Sequence, residues 1–151
     1  MNKKKKVLIV DDSEMNRELL TDILEDRYEV ECACDGKQAI DILTTRSKQF
    51  SLVLLDIVMP KVDGFGVLKM MNENKIINRL PVILISVEYS LEHIDRAYEL
   101  GVSDFISRPF DASVVIRRIE NTIMLYAGSD DDSGIRFMTL STDDDMWGDN
   151  L

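Results

Sequence analysis

The sequence predicts an α/β protein, a doubly wound (βα)5 sandwich of three layers around a parallel five-stranded sheet. Short apolar runs alternate with segments of helical periodicity as far as residue 127. Such alternation is typical of parallel sheets covered by helices on both faces. The apolar runs are also nearly continuous, as in strands buried on both sides. A chain of 151 residues suits one domain with a substantial core.

The strands are expected where these apolar runs lie, at residues 6–10, 28–34, 51–56, 81–86 and 103–107. Helices are expected between and after them, at about 14–26, 36–45, 64–73, 90–100 and 111–127. No segment repeats within the chain. The predicted order is therefore five successive βα units.

Each helix is predicted from an apolar stripe or from capping residues. The first follows Asp12 and Ser13, which can cap it, and its stripe consists of Met15, Leu19, Leu20, Ile23 and Leu24. The stripes of the second and third helices are Ala39, Ile40 and Leu43, and Phe65, Leu68 and Met71. The fourth begins after Ser90 and ends before Gly101, with Ile94, Ala97 and Tyr98 facing inward. The fifth follows Asp111.

Composition and charge exclude several classes of function. The net charge of −10 argues against direct binding of nucleic acid, which selects for clustered cations. No apolar run is long enough to span a membrane, and the run after the basic start lasts only four residues, too short for a signal peptide. We therefore expect a cytoplasmic protein. Cys32 and Cys34 point the same way from one strand, so we expect buried thiols rather than a disulfide or metal site.

The composition changes after residue 127. Residues 128–151 contain seven aspartates and one arginine, and they begin with a segment rich in Gly, Ser and Asp. We expect a domain at 1–127 and an acidic tail or linker at 128–151. The sequence does not decide whether this tail packs on the domain, is disordered or leads into a longer chain.

Aspartates follow the first and third strands. Asp11 and Asp12 end one apolar run and Asp56 ends the other, so the three should converge at the carboxyl edge of the sheet. Three neighbouring carboxylates repel one another unless a cation joins them. Magnesium takes one or two carboxylates and readily bridges to a phosphoryl oxygen. The sequence therefore indicates a magnesium site at this edge.

Five elements together resemble the response-regulator receiver domain of two-component signalling. They are Asp11-Asp12, Asp56, Met59-Pro60-x-x-Asp63-Gly64, Ser86 and Arg108-Pro109-Phe110. Their order and spacing match over residues 5–127, which is far more specific than any one motif. The resemblance implies a flavodoxin-like fold with strand order 2-1-3-4-5. It also implies that the bond between Arg108 and Pro109 is cis.

The resemblance implies a role for each residue of the site. Asp56 would accept a phosphoryl group from a phosphohistidine on a sensor histidine kinase or phosphotransfer protein. Asp12, Asp56 and the backbone carbonyl of Val58 would bind Mg²⁺ or Mn²⁺, with Asp11 acting through a water molecule. Ser86 would donate to the phosphoryl group, Arg108 would supply a cation and Phe105 would act with Ser86 in the switch. Any activity would be limited to self-phosphorylation and autodephosphorylation of Asp56.

The face formed by the fourth helix, fifth strand and fifth helix would change on phosphorylation. In the family this face meets effectors or a second receiver, so an output domain, an effector or a homodimer are the alternatives. An ordinary solvated surface explains its charges equally well.

Two departures from the family pattern bear on activity. Arg108 stands where the family has Lys, and its planar fork is a poor substitute for an ammonium. Val87 stands where the family has a small residue that leaves the site open. An alternative is therefore a degenerate receiver that binds proteins without phosphate. A haloacid-dehalogenase-like phosphatase fits less well, because that family has a second acid where this chain has Val58.

Overall fold

The computed structural model describes residues 4–57, 59, 62–86 and 90–127. The strands are β1 (Lys6–Val10), β2 (Glu29–Ala33), β3 (Leu52–Leu55), β4 (Val82–Ser86) and β5 (Asp104–Ser107). The helices are α1 (Glu14–Leu24), α2 (Gly36–Arg46), α3 (Gly64–Glu73) and α4 (Leu91–Glu99), followed by α5, which begins at residue 112 and is described as far as 127. The strands are parallel and lie in the order β2-β1-β3-β4-β5. The predicted fold class is confirmed.

The sheet is buried on both faces because side chains of each strand alternate between two cores. Leu8 and Val10 of β1 belong to the core under α2, α3 and α4. Val7 and Ile9 belong to the other core, under α1 and α5. The continuous apolar runs therefore reflect a three-layer arrangement.

Side chains cap the helices where the sequence suggested. The Oγ of Ser13 accepts a hydrogen bond from the Asn16 N–H, and the Oγ of Ser90 accepts one from the His93 N–H. Gly101 follows α4 with φ of 97°, a backbone conformation that favours glycine. The sequence did not indicate two short 3₁₀ turns, Ser47–Gln49 and Ile76–Asn78, which precede β3 and β4.

Some side chains expected inside are exposed. Met15 and Leu19 of α1 are 77% and 48% exposed, and Tyr98 of α4 is 46% exposed. Their helices each bury a narrower stripe than the apolar pattern suggested. Cys32 is also exposed and Cys34 half-buried, so the prediction of buried thiols was wrong. The physical reason is that β2 is an edge strand.

Within the described ranges, none of the helices combines the length and apolar character needed to cross a membrane. The predicted tail at 128–151 lies outside the described residues.

Candidate functional site

The carboxyl ends of β1 and β3 bring three aspartates together. The Asp56 N–H donates to the Val10 carbonyl oxygen at 2.9 Å, and the Asp11 N–H donates to the Ala33 carbonyl oxygen at 3.1 Å. These bonds continue the parallel ladders one residue beyond the strands, so the backbone of both aspartates is fixed. The convergence predicted from the sequence follows from this register.

The aspartates form a compact acidic cluster. Carboxylate oxygens of Asp11, Asp12 and Asp56 all lie within 4.8 Å of one another. Asp11 and Asp56 are buried, whereas Asp12 is exposed. Like charges this close raise the free energy of the ionised cluster, and a nearby cation lowers it. The cluster therefore favours either a basic side chain or a bound divalent ion.

Arg108 supplies a cation to this cluster. Its Nη2 lies 2.5 Å from Oδ2 of Asp11, and its side chain is 9% exposed. The other Asp11 carboxylate oxygen accepts a hydrogen bond from the Ser13 N–H at 2.9 Å. Both carboxylate oxygens of Asp11 are thus engaged by the protein.

The Nε of Arg108 is a buried donor that has no acceptor among the described residues. A buried donor of this kind is costly unless a ligand or water supplies an acceptor. The backbone of Arg108 is held by the Ser86 carbonyl oxygen, which accepts its N–H at 3.1 Å. The peptide bond between Arg108 and Pro109 is cis, the geometry that the resemblance implies.

Ser86 and Phe105 lie on the neighbouring strands β4 and β5. Ser86 ends β4, is 1% exposed and pairs in register with Ser107. Phe105 pairs with Leu84, is half-buried and packs against the core under α2, α3 and α4. The polar end of β4 and the aromatic side chain of β5 are therefore close in the sheet, two residues apart in register.

Glycine at position 64 allows α3 to begin directly against the phosphoacceptor candidate. A Cβ at Gly64 would lie 2.6 Å from the Asp56 backbone oxygen and 2.8 Å from the Ile57 Cα. Asp63 caps this helix by accepting the Gly66 N–H at 3.1 Å. The motif Asp63-Gly64 thus has a steric and a capping function.

The donor set fits a hard divalent cation. The three carboxylates offer oxygen ligands close together, and magnesium takes one or two carboxylates while keeping several water molecules. The predicted ligand Val58 lies outside the described residues, as does Val87.

One residue that supports the site, Arg17, was not predicted from the sequence. Arg17 of α1 donates from Nη1 to the Asp11 backbone oxygen at 2.8 Å, which braces the end of β1. Its position one turn into the helix after Asp11-Asp12 was the only available signal.

Comparisons with known proteins agree with this geometry. The family model of the response regulator receiver domain matches residues 7–120. The two-component response regulator ORR3 of Oryza sativa subsp. indica is 34% identical over 119 residues, which are 78% of this chain and 90% of that protein.

Solved structures of receiver domains are similar over most of the chain, and two examples show the extent of the match. Chemotaxis protein CheY4 of Vibrio cholerae has a TM-score of 0.72 and 26% identity, and the match covers 80% of this chain and 99% of that one. A CheY-like response regulator receiver domain protein from Methanospirillum hungatei JF-1 has a TM-score of 0.77 and 25% identity, covering 83% and 98%. Because the family model matches well over half of its residues, this chain belongs to the response regulator receiver domain family of two-component systems.

Proposed function

We propose that this receiver domain accepts a phosphoryl group on Asp56 and signals through the face of α4, β5 and α5. The observation that carries this proposal is the grouping of a buried aspartate with two further carboxylates and a cation at one strand edge. A buried group of this kind is characteristic of functional sites, where charges are arranged for chemistry rather than stability.

Asp56 acts as the nucleophile. One of its carboxylate oxygens attacks the phosphorus of a donor phosphohistidine on a sensor histidine kinase or phosphotransfer protein. The new O–P bond forms as the P–N bond breaks, and the departing imidazole nitrogen takes up a proton. The product is an acyl phosphate on Asp56. Its later hydrolysis returns the carboxylate and releases inorganic phosphate.

The surrounding residues stabilise the negative charge of the phosphoryl group. Phosphoryl transfer depends mainly on positioning and on electrostatic stabilisation of the equatorial oxygens. Among the described residues, the Nε of Arg108, which has no acceptor there, and the hydroxyl of Ser86 are suitable donors. Mg²⁺ or Mn²⁺ at Asp12, Asp56 and the Val58 carbonyl would neutralise charge between the phosphoryl group and the acidic cluster.

The response passes to α4, the least buried of the five helices. Ala97 is the one fully buried side chain of α4, while Leu91 and Tyr98 are 79% and 46% exposed. An element with little buried surface shifts at low cost. Ser86 ends the strand before α4 and Phe105 lies on β5, so movement of either side chain reaches this face. An effector, an output domain or a second receiver would bind there.

The test is phosphorylation by acetyl phosphate, followed by intact-mass measurement with Mg²⁺ or with a chelator. We expect one phosphoryl group on the wild-type chain with Mg²⁺ and none on Asp56→Asn. Asp41→Asn is the matched control, because Asp41 is an exposed aspartate of α2 and its loss should change nothing. Equal labelling of the wild type and Asp56→Asn would exclude Asp56 as the acceptor.

The ion pair of Arg108 with Asp11 favours a second candidate function, a protein-binding module that works without phosphate. In that case the cation serves to keep the acidic cluster stable rather than to receive a phosphoryl group. The two functions differ in one measurement. Beryllofluoride with Mg²⁺ should shift the amide resonances of α4 and β5 in an active receiver and leave them unchanged in the module.

A further inference from the structure

A basic cleft lies at the amino-terminal edge of the sheet, the edge opposite the acidic cluster. It has a volume of about 330 Å³ and is bordered by the cations Lys5, Lys48 and Arg79, and none of the described residues in its lining is a carboxylate. All three side chains are exposed. In the described part of the chain neither Lys5 nor Lys48 takes part in an ion pair. The cleft therefore presents uncompensated positive charge.

A second cleft of about 410 Å³ adjoins the first and shares Lys5 with it. Its lining adds the cations Lys4 and Arg27 and the carboxylate Glu120, which pairs with Arg27 at 3.2 Å. Met124 gives it an apolar wall that is 66% exposed. Together the two clefts form one surface whose described residues include five cations and one carboxylate, on a chain whose net charge is −10. We call this surface the basic patch.

The last described residue of α5 points to the occupant. Ala127 lines both clefts, and the acidic run Asp130–Asp132 begins three residues later in the sequence. A connection of three residues spans at most about 10 Å, so the patch is within reach of this run. Short tethers of this kind give effective concentrations in the millimolar range. The seven aspartates of 128–151 match the patch in charge, and apolar residues such as Ile135 and Phe137 match its apolar wall.

We propose that segment 128–151 folds back onto the basic patch of its own chain, with Asp130–Asp132 against Lys5, Lys48 and Arg79. Exposed ion pairs are individually weak and are screened by salt, so binding depends on several pairs acting together through a short tether. The contact leaves the phosphoacceptor edge open, because the patch lies at the other end of the strands. It is independent of phosphorylation of Asp56.

Cross-linking of the full chain tests where the segment lies. A carbodiimide joins an amine to a carboxylate only when the two are in direct contact, and mass spectrometry identifies the pair. We expect links from Lys5 or Lys48 to Asp130–Asp132, lost in high salt. A mixture of ¹⁴N and ¹⁵N chains separates links within one chain from links between chains. Absence of these links, or links only between chains, would overturn the proposal.

Proteolysis of the full chain tests the charges themselves. A protease that cleaves at aspartate should cut segment 128–151 about tenfold faster when Lys5, Lys48 and Arg79 are all changed to Gln, because cleavage follows the undocked fraction. The control changes Lys37, Lys69 and Lys75 to Gln, which removes equal charge from exposed positions elsewhere. High salt should accelerate cleavage of the wild type. Equal cleavage of both variants would show that segment 128–151 does not bind the basic patch, and it would refute the proposal. The patch would then be a candidate site for an acidic segment of another protein.

Discussion

Replacement of Arg108 by Met tests whether this side chain is the counter-ion of the acidic cluster. The change removes the guanidinium that lies 2.5 Å from Asp11 and keeps an apolar side chain in its place. Asp11 would then be a buried carboxylate among Asp12 and Asp56, whose oxygens lie within 4.8 Å. We expect a clear loss of stability in the absence of divalent cations.

The magnitude follows from the burial of the pair. Removal of one partner of a buried ion pair costs about 3 kcal/mol or more, because it leaves an uncompensated charge. For a chain of this size that loss lowers Tm by roughly 6–12 °C. Mg²⁺ supplies a replacement cation, so it should recover part of the loss. The variant should also bind Mg²⁺ about tenfold more tightly than the wild type, since a competing positive charge has gone.

The assay is urea unfolding at pH 7, followed by circular dichroism in a chelator and in Mg²⁺. Arg17→Met is the matched control, because Arg17 donates to the backbone oxygen of Asp11 and not to its carboxylate. Its loss should cost about 1 kcal/mol and show little recovery in Mg²⁺. Asp11→Asn combined with Arg108→Met completes a double-mutant cycle.

Two results would refute the reasoning. One is an Arg108→Met variant no less stable than Arg17→Met in chelator. The other is a double variant whose loss equals the sum of the single losses, because the two side chains would then contribute independently.

The remaining predictions concern packing and pH. Gly64→Ala should cost roughly 1–3 kcal/mol and reduce phosphorylation, since the new Cβ would lie 2.6 Å from the Asp56 backbone oxygen. Glu31 has a pKa of about 2, below its ordinary 4.5, chiefly because Arg46 hydrogen-bonds to it. A lowered pKa stabilises the fold above about pH 4.5, and this contribution is lost as the pH falls toward 2. Solvent screening limits it to about 1 kcal/mol, which Glu31→Gln should remove at pH 7.

The variants Gly64→Ala and Glu31→Gln each have a control within the same helix or strand. Gly66→Ala brings a Cβ to 2.6 Å from the Val62 side chain, which can move aside, so equal losses for the two glycines would contradict the steric account. Glu29→Gln changes the same face of β2. If Glu29→Gln alters the acid unfolding profile as much as Glu31→Gln does, the Arg46 pair is not the cause.

The strands and the convergence of the aspartates could be predicted because each rests on a local pattern. Four consecutive apolar residues before Asp11 and before Asp56 are enough to predict two buried strands that end at a shared edge. The cap at Ser90 and the glycine at 101 are similarly local. These features depend on backbone geometry, which nearby residues determine.

Features that depend on tertiary packing, such as which side of a helix contacts the core, could not be predicted from the sequence. Nothing in the sequence distinguishes Leu20, which is buried, from Leu19, which is exposed, because both fit a helical stripe. Cys32 is exposed because no further strand covers β2. The pairing of Arg108 with Asp11 joins residues 97 positions apart, and a long side chain could equally have reached another carboxylate of the cluster.

The small buried surface of α4 limits the free energy that is needed to shift this helix. Ala97 is the single fully buried side chain of α4, so we expect alternative positions of this helix to differ by little free energy. Moving such an equilibrium from 1% to 99% requires only about 5.5 kcal/mol of differential binding, which a few charge-assisted hydrogen bonds can supply. If the free-energy difference is small, the shifted position of α4 is also populated before any signal arrives. We therefore expect a basal output that phosphorylation raises, rather than a signal that is fully off without it.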